Sequence, residues 1–105
     1  MRITVSHNKS KQQIVQAIDR SFDDLFKGNP VIPLQMTNEK RQWQGSLLTF
    51  SFDAKMGILS APIKGTIDVT DRDVTIDVDL GLLEKLLGRG PGRTALESRV
   101  KGLLT

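Results

Sequence analysis

Few residues in this sequence can do chemistry, and their spacing decides what kind. His7 is the one histidine. A single imidazole can serve as a base or a metal ligand. No Asp or Glu stands close to it in sequence, and a zinc site needs three further ligands. Its place favours a hydrogen-bonding role at the entrance to a helix. The acids that could act together are Asp68, Asp71, Asp73, Asp77 and Asp79. A calcium loop alternates its ligands within one glycine-containing loop and adds a distal Glu. These five fall instead on two strands and a turn, at the spacing that solvates a sheet. Acid–base work by paired carboxylates needs burial to separate their pKa values, and this pattern leaves them wet. The reading is of a chain with no catalytic residue, no metal and no cofactor.

Two other stretches invite a ligand. Gly88-Arg89-Gly90-Pro91-Gly92-Arg93 offers free amides and two arginines to an anion. It lacks the lysine and Ser/Thr of a P-loop and does not follow a strand directly, so it reads as a helix break. Trp43, Phe50 and Phe52 could form a base-stacking platform, but such sheets set exposed aromatics among Lys and Arg. The alternation here puts both phenylalanines on the face that needs burial. Nucleic acid is not an expected partner, and 15 basic against 12 acidic residues, net +3, do not indicate it either. The charges are unevenly placed. From Gly81 onward Lys85, Arg89, Arg93, Arg99 and Lys101 face only Glu84 and Glu97. That end solvates a terminal helix or, in the sharper reading, meets an anionic partner.

The elements that must position these residues follow from the period of the apolar ones. A length of 105 residues makes one domain, residues 1–105, with one modest core. No cysteine is present to build a disulfide or a thiolate site. The N-terminus has no apolar signal core, and no run approaches the ~18 apolar residues of a membrane helix. A cytosolic protein is expected, with any membrane contact peripheral.

Ile3 and Val5 alternate with polar neighbours in a short first strand. Ser10 and Gln13 form a capping-box pair. Ile14, Ile18, Phe22 and Phe26 then mark the buried stripe of an amphipathic helix, which Gly28-Asn29-Pro30 ends. Val31 to Thr37 reads as an edge strand because of Pro33, and Asn38 to Arg41 as a charged turn. The next strand carries Leu48, Phe50 and Phe52 on one face. Trp43 joins that face only through a bulge near Gly45, and is then mostly buried. Asp53 to Met56 reads as a connection. The last two strands are plainest: Ile63, Gly65, Ile67 and Val69 share one face, and Val74, Ile76, Val78 and Leu80 share the next. With Asp71-Arg72 as the turn, Val69 faces Val74, Ile67 faces Ile76 and Lys64 faces Asp79. Gly65 would leave room for a helix to approach. Leu82, Leu83, Leu86 and Leu87 start a terminal helical stripe. After the glycine-rich break, Thr94 and Glu97 offer a second capping box, and Ala95, Leu96, Val100, Leu103 and Leu104 carry the stripe on.

The expected fold is α+β: a single antiparallel sheet of about five strands, with an N-terminal helix and a broken C-terminal helix on one face. The order is β-α-β-β-β-β-α, a small helix-grip-like arrangement. The first strand can pair beside the last.

Ile3-Thr4-Val5 with His7, Trp43-x-Gly45, Leu48-x-Phe50-Ser51-Phe52, Gly57, Gly65-x-Ile67-x-Val69-x-Asp71, Val74-x-Ile76 and Asp79-Leu80 together resemble the polyhydroxyalkanoic acid system protein family. The resemblance covers nearly the whole chain, with little in residues 28–41. It departs from the family pattern at Gly81, where proline is common, and at the break from Gly88 to Gly92. The family's members are small bacterial proteins encoded with polyhydroxyalkanoate genes, some at the granule surface. The resemblance implies a non-enzymatic accessory protein and no catalytic residues. It would bind a granule surface or granule protein through its C-terminal helix, with Leu86, Leu87, Leu103 and Leu104 on the apolar side and Arg89, Arg93, Arg99 and Lys101 outside. A second reading is a binder of acyl chains in a cavity lined by Trp43, Phe50, Phe52 and Ile67. A third is a homodimer formed through a sheet edge.

Overall fold

The computed structural model describes residues 1–26, 35–81 and 91–104. Its elements are β1 (Arg2–Ser6), α1 (Lys11–Phe26), β2 (Gln35–Gln44), β3 (Leu47–Met56), β4 (Leu59–Val69), β5 (Asp73–Asp79) and α2 (Pro91–Leu104). The five strands form one antiparallel sheet in the order β1-β5-β4-β3-β2. The helices pack on each other, α1 against β4 and α2 against β1. This is the expected α+β architecture, with the first strand beside the last.

The alternation dictates the layer. Val69 pairs with Val74, Ile67 with Ile76 and Lys64 with Asp79, the register read from the two faces. Phe50, Ile63, Ile67 and Val78 lie with Ile3, Ile18, Leu96 and Leu104 in one buried cluster. Each such side chain contributes about 1.5–3 kcal/mol on leaving water. The capping box at α1 is complete: the Gln13 amide donates to Ser10 Oγ at 3.2 Å, and the Ser10 amide donates to Gln13 Oε1 at 3.1 Å. Ile14, Ile18 and Phe22 are buried from that helix, and Ser21 breaks its helical geometry (φ −114°, ψ 17°).

Four expectations are corrected. Asn38 to Arg41 is not a turn but part of β2, where the register shifts between Thr37 and Lys40 and Asn38 takes φ 55°. An edge strand tolerates that bulge and those charges, which discourage pairing with another sheet. The turn lies at Gly45-Ser46, with Gly45 at φ 61°, so Trp43 and Phe50 belong to different strands. Trp43 reaches the core face opposite Leu48 without any bulge at Gly45, and it is half-buried. Asp53 to Met56 belongs to β3, and the next connection is the two-residue turn Gly57-Ile58. Finally, α2 begins at Pro91, before Thr94, so Thr94 and Glu97 stand inside the helix and do not cap it. Proline's fixed φ suits a first helical position.

The space over Gly65 is also filled differently. Phe50, directly opposite on β3, lays its ring there; a Cβ on Gly65 would meet Phe50 Cζ at 2.7 Å and the Asp77 carbonyl oxygen at 2.6 Å. A ring from the neighbouring strand, not a helix, occupies the gap. The expected strand start at Val31 to Leu34, the helix stop at Gly28-Asn29-Pro30 and the leucine stripe at 82–87 fall outside the described residues.

Candidate functional site

The sequence offered His7 first, and the structure puts both of its ring nitrogens to structural use. Nε2 lies 2.8 Å from the Thr70 carbonyl oxygen, and the Lys9 amide lies 3.1 Å from Nδ1. A carbonyl only accepts and an amide N–H only donates, so Nε2 carries the proton and Nδ1 is bare. The His7 amide adds a bond to the Arg72 carbonyl at 2.9 Å. This fastens the segment between β1 and α1 to the β4–β5 turn. Within that turn the Asp73 amide, which in a plain hairpin would meet the Thr70 carbonyl, donates to Thr70 Oγ1 at 3.0 Å. The Thr70 amide donates to the Asp73 carbonyl at 2.9 Å, and Thr70 Oγ1 donates to Asp73 Oδ1 at 2.9 Å. The histidine orders the way into α1, as its position suggested, and has no nitrogen left for a substrate in this arrangement.

The aspartates are similarly engaged or scattered. Asp77 pairs with Arg2 at 2.9 Å, and Asp79 Oδ1 accepts from the Gly81 amide at 3.0 Å. Among the described residues no three His, Asp or Glu side chains come together to hold a metal ion.

The sheet face away from the helices has its own order. Pairing sets Lys40, Ser51, Lys64 and Asp79 side by side across four strands, and Gln42, Thr49, Thr66, Asp77 and Arg2 across five. Both rows border a shallow open depression of about 680 Å³. Ser51 standing between two lysines suggests a Ser–Lys nucleophile, but that chemistry needs an amine stripped of water. Both lysines are exposed. The face is a hydrated polar surface.

The residues expected to line an acyl cavity are packed on one another. Phe22 meets Phe50 edge-on with centroids 5.1 Å apart, and Phe50 stacks on Phe52 at 6.2 Å. Phe50, Phe52 and Ile67 are buried, and Trp43 stands at the rim of the cluster with its indole N–H on Asp19 Oδ1 at 3.0 Å. Arg41, from the inward face of β2, closes this rim with its guanidinium 5.2 Å over the Phe22 ring. The sequence pattern missed this because it placed Arg41 in a turn.

Of the residues expected on the apolar and cationic sides of the terminal helix, Leu86, Leu87 and Arg89 fall outside the described residues, and Arg93 lies in the first turn of α2. Lys101 is exposed and 3.5 Å from Glu97, while Arg99 is half-buried. Leu103 is half-buried against the core, and Leu104 is part of it at 2 % exposure. The helix therefore turns Leu96, Val100 and Leu104 inward and Lys101 outward. No helix among the described residues is long and apolar enough to cross a membrane.

The bare apolar side chains are elsewhere. Ile58 is fully exposed at 103 %, and its neighbour Leu59 is 45 % exposed, both at the β3–β4 turn. A signal was available: Gly57-Ile58 flanked by alternating strands fits a two-residue hairpin with glycine first. No family model, curated protein or solved structure matches the chain.

Proposed function

We propose that this chain is a non-catalytic accessory protein of polyhydroxyalkanoate metabolism that associates with the storage-granule surface or with a granule-bound protein. The reading rests on the resemblance stated above and on one observation about the residues that carry it. Many of those placed in the structure do scaffold work: Phe50, Ile67, Val74 and Ile76 are core, Gly57 and Gly65 serve a turn and a ring contact, and His7 fastens a turn. Shared residues of this kind suit a presenting surface better than a reaction centre. Lys101, exposed on α2, supplies attraction to an anionic coat.

Removing the chain from Gly88 onward is no test of the helix as anchor, because Leu96, Val100 and Leu104 are core residues. The informative experiment keeps the full chain. Tagged protein is used to pull down material from cells that accumulate storage polymer and from cells that do not, and is sedimented with purified native granules. Enrichment on granules and a polymer-dependent set of captured proteins are expected. Identical captures from both cultures, with the protein left in the supernatant, would remove the proposal.

A further inference from the structure

On α2, Leu96 and Leu104 are buried in the core and Leu103 is half-buried against it, so among the described residues the exposed apolar side chains must be sought elsewhere. The β3–β4 turn supplies them. Met56 pairs with Leu59, so Gly57 and Ile58 form a two-residue loop, and Gly57 adopts φ 64°, a region open to glycine. The apex is therefore a tight two-residue turn. Turns of this length ordinarily carry Asn, Asp, Ser or Gly. Here the second turn position is Ile58, the most exposed large apolar side chain among the described residues, and Leu59 follows it.

We propose that the β3–β4 tip, Gly57-Ile58-Leu59, is the part of the chain that enters the apolar surface of a polyhydroxyalkanoate granule. This rests on the granule reading above and identifies its contact. Two features favour a soft apolar surface over a pocket on another protein. Ile58 stands fully exposed on the turn, with Leu59, the first residue of β4, partly exposed beside it, so the tip presents a projection to be immersed. From Ala54 to Ala61 the only charged residue is Lys55, which is exposed. A lysine beside an immersed aliphatic pair can keep its stem in the apolar layer and its ammonium in water. Immersing one such side chain is worth at least about a tenfold gain in binding.

The test sediments the full chain with native polyhydroxyalkanoate granules, with and without protease treatment to strip their protein coat. Wild type and Ile58→Leu are expected to bind both preparations, and Ile58→Asp to bind about tenfold less. Ile58→Ser gives the same reading should the aspartate variant fold poorly; circular dichroism and melting establish the fold of each. Wild-type binding with no loss in Ile58→Asp or Ile58→Ser overturns the role of the tip and leaves the granule reading standing. Binding only to coated granules makes the partner a protein and also overturns the tip. A wild type that binds neither preparation removes both proposals.

Discussion

The two ends of β4 finish in two-residue turns, and they could hardly differ more. At the Val69 end, Thr70 and Asp73 exchange backbone and side-chain bonds, and His7 reaches across from another part of the chain to take the Thr70 carbonyl. The neighbouring β2–β3 turn joins in, its Ser46 carbonyl accepting the Val69 amide at 3.0 Å. At the Leu59 end, Ile58 stands in water, and a Cβ added at Gly57 would find nothing within 4 Å. One end uses polar side chains to hold the sheet together. The other carries Ile58, whose fully exposed side chain gives the isolated fold nothing. Residues that cost solubility without adding stability are the ones to examine for a role outside the fold.

The largest expected effect lies between the two ends. Gly65 sits midway along β4, where a methyl group would stand 2.6 Å from the Asp77 carbonyl oxygen and 2.7 Å from the Phe50 ring. The ring can turn, but a backbone carbonyl in a paired strand cannot move without loosening the β4–β5 ladder. Gly65→Ala should therefore destabilise the chain by about 3 kcal/mol, measured as a fall in the urea midpoint. A change below about 1 kcal/mol would mean the sheet flexes there, and that the two ends of β4 are less rigidly connected than their contrast implies.

A smaller loss is expected at the fastened end. His7→Ala keeps the backbone bond to Arg72 but removes both ring bonds, leaving the Thr70 carbonyl and the Lys9 amide to water. Both groups lie near the surface, so solvent replaces part of what is lost, and about 1 kcal/mol is the expected cost. Amide exchange should quicken at Lys9, whose hydrogen bonds to the ring. Unchanged stability and exchange would show that the turn holds itself and that the histidine is incidental to it.

The same contrast explains how much could be read from the chain. The β4–β5 pairing was legible because both faces alternate, and a one-residue slip would bury Asp77 and expose Ile76. The α1 cap was legible because Ser10 and Gln13 carry their own geometry. The β2–β3 boundary was not. Asn38 to Arg41 has the composition of a turn, yet an edge strand can carry charges on its wet face, and Arg41 can lie inward because its guanidinium covers the Phe22 ring. Placing the turn there left Trp43 on the wrong parity and called for a bulge at Gly45, when the same glycine closes a hairpin. At α2, Thr94 and Glu97 matched a cap by spacing alone, while Pro91 had already fixed an earlier start. The candidate contact was the least legible part. Periodicity assigns apolar residues to a buried face, and Ile58 is apolar with no face to join.

The smallest effect is the most discriminating. Ile58→Ser should leave stability within about 0.5 kcal/mol of wild type, a shift in Tm of no more than about 3 °C for a domain of this size. The reason is that full exposure leaves no transfer free energy to lose, while serine is better suited than a β-branched residue to a turn. Should the substitution instead cost 1 kcal/mol or more, Ile58 must be covered in solution, and the two ends of β4 would differ only in what covers them. A neutral result would separate them in kind: His7 would matter to a protein alone in buffer, and Ile58 only when an apolar surface is present.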